Sequence, residues 1–232
     1  MEIKLFEANN GGCPYLKDQV WMSYMFQAEN LDPKLYEVLI DKGFRRNGLM
    51  FYKNNCPNCD QCKPIRVLAG EFKLSSSQKK VLKKNDDLSI KTEPISFDRG
   101  SYELYQKYSY DRFGTQTTLE DYFNFLVQSS VETVMMKYYL DKRLVGVGWV
   151  DILDNSLSSV YFAYDMEYSK KSLGVFSVLK EIELCRKMKK DYLQLGFWVK
   201  GCKTMHYKTG YYPHELLDQE SWVRIDKIEN QN

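Results

Sequence analysis

Three cysteines recur at every third residue in the run Cys56-Pro57-Asn58-Cys59-Asp60-Gln61-Cys62. A tight loop turns thiols at that spacing toward a common centre, and Cys13 upstream can close a four-sulfur set. Soft sulfur donors suit zinc or an iron–sulfur cluster, and the same residues also fit plain buried thiols with no metal. A second feature is Ser172-Leu173-Gly174. Placed at the start of a helix, it offers unpaired backbone N–H groups and the positive end of the dipole, a seat for a phosphate or a ribose-phosphate. Many ordinary helices also begin with a serine cap and a small residue. A third is the lysine cluster Lys79, Lys80, Lys83 and Lys84, packed into two helical turns of SSSQKKVLKKN, with Lys170 and Lys171 before the Ser172 turn. Such a cluster is either a solvated helix face or a contact for a phosphate backbone.

These groups need elements to hold them. Residues 157–164 are β-branched and aromatic, as a strand requires. After a polar break, Val175, Val178, Leu179, Ile182, Cys185 and Met188 recur on one helical face, with Lys180, Glu181, Glu183, Arg186 and Lys187 elsewhere. Residues 192–199 form another strand. Upstream, strands are expected at 133–140 and 144–153, preceded by helices at 101–112 and 118–129, the second capped by Thr118. Closer to the N-terminus the reading is an edge strand at 1–6, a turn at 9–12 and a strand at 20–26. A helix then runs from Asp32-Pro33 to about Lys42, followed by a hairpin about Asn47-Gly48, a helix over the lysine cluster and a strand at 87–96. The class is α+β. The order of three antiparallel strands followed by strand–loop–helix–strand resembles that of the acyl-CoA N-acetyltransferases (GNAT). The expectation is a GNAT-like mixed sheet flanked by helices over residues 96–232, with a smaller N-terminal α+β cysteine-containing module over 1–95.

Composition narrows the classes. A chain of 232 residues with 44% hydrophobic and 15% aromatic content buries a sizeable core. The 18 Tyr and 12 Phe exceed what a core needs, so some should line a cleft. A net charge of +2 supplies no global attraction for a polyanion, so a nucleic-acid contact has to be local. No apolar run reaches the length of a membrane span and no signal peptide is evident, which leads to a cytoplasmic location, no membrane partner and reduced thiols.

The motifs together carry a closer likeness. Cys13-Pro14-Tyr15-Leu16, the Cys56/Cys59/Cys62 run with Pro64-Ile65-Arg66, residues 77–85, Val160-Tyr161 with Tyr164-Asp165, Ser172-Leu173-Gly174, and the stretch from Tyr192 through Gly201-Cys202, Met205, Tyr207-Lys208 and Pro213 appear in order over nearly the whole chain. On them the chain resembles the bacterial arginyl/leucyl-tRNA–protein transferases, and its size and compact cysteine run resemble the leucyl branch. The resemblance implies an aminoacyl-tRNA donor, leucyl-tRNA favoured over arginyl-tRNA, and acceptor proteins with N-terminal Asp or Glu, tagged for N-end rule degradation. Eukaryotic relatives are associated with an iron–sulfur cluster on a CxxC plus a Cys-Cys pair, whereas this chain has Cys13 alone and three close cysteines.

The implied chemistry is attack of an α-amine on an aminoacyl ester, which requires no cofactor. An α-amine of pKa roughly 8 is partly neutral in the cell, so positioning supplies most of the rate. Backbone N–H groups beside Tyr161 and Tyr164 are expected at the oxyanion, and Asp165 at the acceptor's ammonium. Ser172, Leu173 and Gly174 would take the terminal adenosine. Lys208, Arg66 and Arg112, in that order, are candidates for the acceptor's carboxylate. Trp198 and Tyr207 would wall the cleft, and Lys79, Lys80, Lys83, Lys84, Lys170 and Lys171 would meet the tRNA. Cys202, His206 and His214 lack the partners of a nucleophile or base. Two other classes stand beside this one. An acetyl-CoA acetyltransferase is opposed by the single glycine in residues 169–174, and a non-enzymatic RNA-binding module rests only on the cysteines and lysines.

Overall fold

The computed structural model describes residues 3–227. Two sheets share the work. The smaller is built from β1 (Phe6–Gly12), β2 (Val20–Gln27), β3 (Arg45–Asn47) and β4 (Met50–Asn54), in the order β1-β2-β4-β3. Helix α1 (Pro33–Asp41) starts at Pro33 with the Asp32 carboxylate accepting from the Lys34 amide. It lays Tyr36, Leu39 and Ile40 on Phe26, Phe44 and Phe51, the stacked and edge-on aromatics of the N-terminal core. The β3–β4 hairpin turns at Gly48, whose φ is +59°, and a Cβ there would sit 1.9 Å from the Asn124 carbonyl oxygen. Only glycine lets this hairpin press against the second half of the chain, and that contact fixes where Arg45 and Arg46 point.

The larger sheet has eight strands. They are β5 (Cys62–Leu68), β6 (Leu88–Pro94), β7 (Thr133–Leu140), β8 (Arg143–Ile152), β9 (Ser156–Tyr164), β10 (Tyr192–Val199), β11 (His214–Asp218) and β12 (Ser221–Ile225), in the order β12-β11-β5-β10-β9-β8-β7-β6. Four helices complete the fold, α2 (Ser76–Lys84), α3 (Arg99–Phe113), the single turn α4 (Leu119–Tyr122) and α5 (Leu173–Lys187). Helix α5 covers one face with Leu173, Phe176, Leu179 and Ile182, and α2 packs beside it. Helix α3 covers the other face through Leu104, Tyr105 and Tyr108 over Val147 and Trp149. The mixed sheet between helices, with a smaller N-terminal sheet, is the architecture expected from the sequence.

Several local expectations need correction. The turn read at residues 9–12 is the end of β1, made irregular by a register shift between Asn9 and Gly12. Residues 3–5 are not strand, and residues 1 and 2 of the expected edge strand lie outside the described residues. The helix read over 118–129 keeps its Thr118 capping box but changes after Tyr122 into a π-helical turn, Phe123–Val127. The tight loop expected for the cysteine run gives way at Cys62 to β5, which, like β11 and β12, was not expected from the sequence. Both β5 and β6 precede residue 95 yet hydrogen-bond into the larger sheet, so strands from the N-terminal stretch complete the C-terminal one.

One irregularity in the sheet makes the site. Strands β9 and β10 run parallel and pair only at Ser156, Leu157 and Ser158 against Tyr192, Leu193 and Gln194. Beyond that they part. Strand β10 shifts register on β5 between Gln194 and Phe197, at Gly196 with φ +80°. From Ser159 onward β9 pairs with β8 alone.

Candidate functional site

The parted strands open a cavity of about 690 Å³. Tyr161 and Tyr164 of β9 line it, with Ser172, Gly174 and Val175 at the mouth of α5. Tyr161 lies edge-on to Tyr105 and Tyr108, and Tyr164 leans on Tyr108, so rings from β9 and α3 together form an aromatic wall of the cavity. A side chain at Gly174 would meet nothing within 4 Å, which leaves the first turn of α5 open to the cavity. Arg112, Tyr207 and Lys208 also border it. The half-buried Lys208 ammonium donates to the carbonyls of Leu195 and Phe197, each at 2.8 Å. Burial and then the neighbouring Arg45 charge lower its pKa to about 8.

Other expected site residues stand elsewhere. Leu173 is fully buried beneath the α5 mouth, because its side chain faces the core rather than the cavity. Trp198 lies outside the cavity lining and packs against the main core; its neighbour Phe197 takes the cavity side of β10. Arg66 does not reach the cavity. Its guanidinium is stacked between the rings of Tyr192 and Trp222, at 3.8 and 4.0 Å, and bonded to Glu215 at 2.6 Å and Asp41 at 3.4 Å. Asp165 is equally engaged. Lys107 donates to it at 2.8 Å and Arg143 at 2.6 Å, so its carboxylate has no charge left over for an ammonium. Burial opposes its ionisation, but the bond and charge of Lys107, helped by Arg143, hold its pKa below the ordinary value.

The lysines are brought together. Ser75 caps α2, with Gln78 completing the capping box. Lys79, Lys80, Lys83 and Lys84 are exposed on that helix, and the Lys84 ammonium donates to the carbonyl of Lys170. Asn85 donates to Lys171 O at 2.9 Å, fastening α2 to the 3₁₀ turn Met166–Lys171 that leads into α5. The basic face therefore adjoins the cavity mouth. Lys171 itself is spoken for, bonded to Asp87 at 2.7 Å.

The four thiols share a separate cavity of about 350 Å³, with Tyr15 and Tyr52 in its wall. Burial, then the neighbouring Cys13, Cys56 and Cys59, push the Cys62 thiol up to about 12. Cys56 Sγ donates to Met22 O at 3.6 Å. Among the described residues no three Cys, His, Asp or Glu side chains are grouped closely enough to hold an ion. The donor chemistry suits a metal; the spacing in this arrangement does not.

Two decisive residues were missed. Arg45 of β3 lines the main cavity and is 5% exposed. Among the described residues its only side-chain bond is a long one, 3.4 Å to Ser158 Oγ, and its Nε and Nη2 have no partner. Burial lowers its pKa, and no carboxylate pairs with it among the described residues. Gly196 leaves room for both cations, since a Cβ there would stand 3.7 Å from Lys208 Nζ and 3.8 Å from Arg45 Nη2. Glu181 of α5 is the other. It is wholly buried, lines the same cavity, accepts from Ser177 Oγ at 2.8 Å and leaves Oε2 without a partner. The expectation that Glu181 lies off the apolar face needs correction: position 181 is three after Val178 and four before Cys185, and its side chain is buried with that face. Arg45 carried no such signal in its spacing.

Residues 11–80 match the family described as Arginine-tRNA-protein transferase, N terminus, and residues 100–218 the family described as Arginine-tRNA-protein transferase, C terminus. An aspartate/glutamate leucyltransferase of Marinobacter nauticus is 35% identical over 215 residues, 90% of this chain and 91% of that protein. The aspartate/glutamate leucyltransferase of one Pseudomonas fluorescens strain is 34% identical over 229 residues, 97% of each chain. Among solved structures, FemX superposes with a TM-score of 0.53 at 8% identity, covering 97% of this chain and 88% of that one, a likeness of fold alone.

Proposed function

Because the chain belongs to the arginine-tRNA-protein transferase family, a family of aminoacyltransferases, we propose that it moves leucine from leucyl-tRNA to the α-amine of proteins beginning with Asp or Glu. The observation that carries this reading is the pair of cations in one cavity, Arg45 and Lys208, with no carboxylate bonded to either among the described residues. A buried guanidinium without a counter-ion is costly to the fold, so such a cavity suits an anionic ligand. The acceptor's side-chain carboxylate supplies it. The names of the relatives favour leucine, and these matches favour neither the acetyltransferase nor the binding-module class.

In this reading the terminal ribose rests at the mouth of α5, by Ser172 and Gly174, and the tRNA body extends over Lys79, Lys80, Lys83, Lys84 and Lys170. The ester lies along the unpaired edge of β9 beside Tyr161 and Tyr164, whose backbone faces the developing oxyanion. Tyr207 and Arg112 close the sides. The ester already carries the activation, so the transfer proceeds on the two substrates. The reading also includes a cytoplasmic site of action and entry of the products into N-end rule degradation. Zinc or an iron–sulfur cluster on Cys13, Cys56, Cys59 and Cys62 is a separate proposal, which requires the thiols to draw closer together than they stand here; metal analysis of anaerobically purified protein decides it, and no step of the transfer passes through it.

The direct experiment supplies the protein with leucyl-tRNA or arginyl-tRNA and with peptides that begin with Asp, Glu, Asn or Gln. Leucine should pass to the Asp and Glu peptides and not to their amides. Transfer to all four peptides alike, or to none, rejects the reading.

A further inference from the structure

The cavity contains one group that the transfer, as described so far, leaves unused. Glu181 lies on the covered face of α5, where a helix residue normally contributes a methyl group or a ring to the core. It instead places a carboxyl in a cavity that also contains Arg45 and Lys208. Neither cation forms an ion pair with it. Ser177 bonds one oxygen at 2.8 Å, Ser159 lies close enough to favour the charged carboxyl, and Oε2 is buried with no hydrogen bond of ordinary geometry. The large majority of buried side-chain oxygens in a folded protein have a partner. The cavity therefore holds positive charge at one place and an available carboxyl oxygen at another. Its complement is a ligand with two ends of opposite sign, and an N-terminal acidic residue is one, with a side-chain carboxylate and an α-ammonium.

We propose that Glu181 Oε2 receives the acceptor's α-ammonium and takes its proton, which makes Glu181 the general base of the transfer. The inference rests on the proposed reaction. The ammonium gives one proton to the Glu181 carboxylate. The freed lone pair forms the C–N bond at the ester carbonyl carbon, whose π electrons move onto oxygen. When they return, the bond to the ribose oxygen breaks. The nitrogen loses its second proton as that oxygen gains one, and Glu181 releases the first proton to water. An amide, an uncharged ribose hydroxyl and one proton result.

The surroundings suit the role. Burial raises the Glu181 pKa to about 7, with Ser177 and Ser159 pulling it partway back. Glu181 is thus half ionised near neutral pH, where a base is most effective. The titratable and charged groups around it are Tyr138 from β7, Cys185 one turn along α5, Tyr207 and Tyr211 from the segment before β11, and the two cavity cations. Burial raises Tyr138 and Tyr211 and pushes Cys185 up to about 12, so these three stay neutral across the working range.

The test is the pH profile of kcat for leucyl transfer to a saturating Asp-started peptide, from about pH 6 to about pH 9. At saturation, the loss of Lys208 charge above about 8 falls on KM instead. For the native protein kcat should rise through about pH 7. Glu181→Gln should lower kcat about 100-fold at pH 7, recover most of it above roughly pH 8 where the α-amine is neutral in water, and leave KM for leucyl-tRNA unchanged. A peptide carrying a weakly basic α-hydrazino group in place of the amine should restore the variant at pH 7. Ser177→Ala removes the donor that favours the charged carboxyl, so its acid limb should move to higher pH. A Glu181→Gln profile that overlays the native one, or that falls by one factor at every pH and with every acceptor, overturns the assignment. If that variant fails to fold, the Ser177→Ala profile decides, and an unmoved limb overturns it. A native protein that transfers to no acidic peptide removes the reaction itself, whereas normal native transfer with an unchanged variant removes only Glu181.

Discussion

Arg45 and Arg46 are neighbours on a three-residue strand, both buried, and they face opposite ways. Arg46 points at β8. It grips Asp151 with two nitrogens, Nε at 2.7 Å, and reaches Thr133 at 3.2 Å and the Gly48 carbonyl at 3.1 Å. Every charge there is answered inside the protein, and the result is a joint between the small sheet and the large one. Arg45 points into the cavity with two nitrogens unanswered. The lesson is that burial alone does not separate a structural arginine from a ligand-binding one; the difference is whether the fold supplies the counter-charge.

Asp151→Ala strands Arg46 without its partner and should destabilise the protein by about 3–5 kcal/mol in urea unfolding. A small loss would show that the joint is not what holds the sheets together. Arg45→Met keeps the volume and removes a charge the fold does not use. It should leave unfolding stability equal or higher, while kcat/KM for an Asp-started peptide falls at least about thirtyfold, the equivalent of about 2 kcal/mol. If Arg45→Met unfolds as easily as Asp151→Ala, the two arginines are alike after all. The smallest effect belongs to the surface. Lys83 is exposed, whereas Lys171 already meets Asp87. Lys83→Ala should weaken tRNA binding a few-fold and flatten its log–log salt dependence by about 1, and Lys171→Ala should leave that slope unchanged.

Much of this was legible in the chain. The amphipathic face of α5, the Asn47-Gly48 hairpin and the Ser75 cap each announce themselves through local spacing, and local spacing is what sequence shows best. The mouth of α5, Tyr161, Tyr164, Tyr207 and Lys208 line the cavity because their neighbours in sequence are also their neighbours in the site. Arg66 and Asp165 misled because their partners, Glu215 and Lys107, are remote in sequence, and no reading of residue types reveals that a charge is already satisfied. Arg45 was invisible for the converse reason. Its meaning lies in what it lacks, and only the folded chain shows an absence of partners. Glu181 reads as one of the charged residues off the apolar face when residue type is weighed above its spacing from Val178 and Cys185; burial puts it on that face.

Strand β5 sits between β10 and β11, so both of its flanks are made by chain that comes much later in sequence. A ribosome finishes Cys62 to Leu68 long before Tyr192 to Val199 emerges. Until then this segment has no neighbour to bond in the large sheet, and its Ile65 and Val67 side chains, wholly hidden in the finished protein, face water or a chaperone. The nascent segment therefore stays sticky until β10 emerges, and only then can the opening between β9 and β10 exist at all.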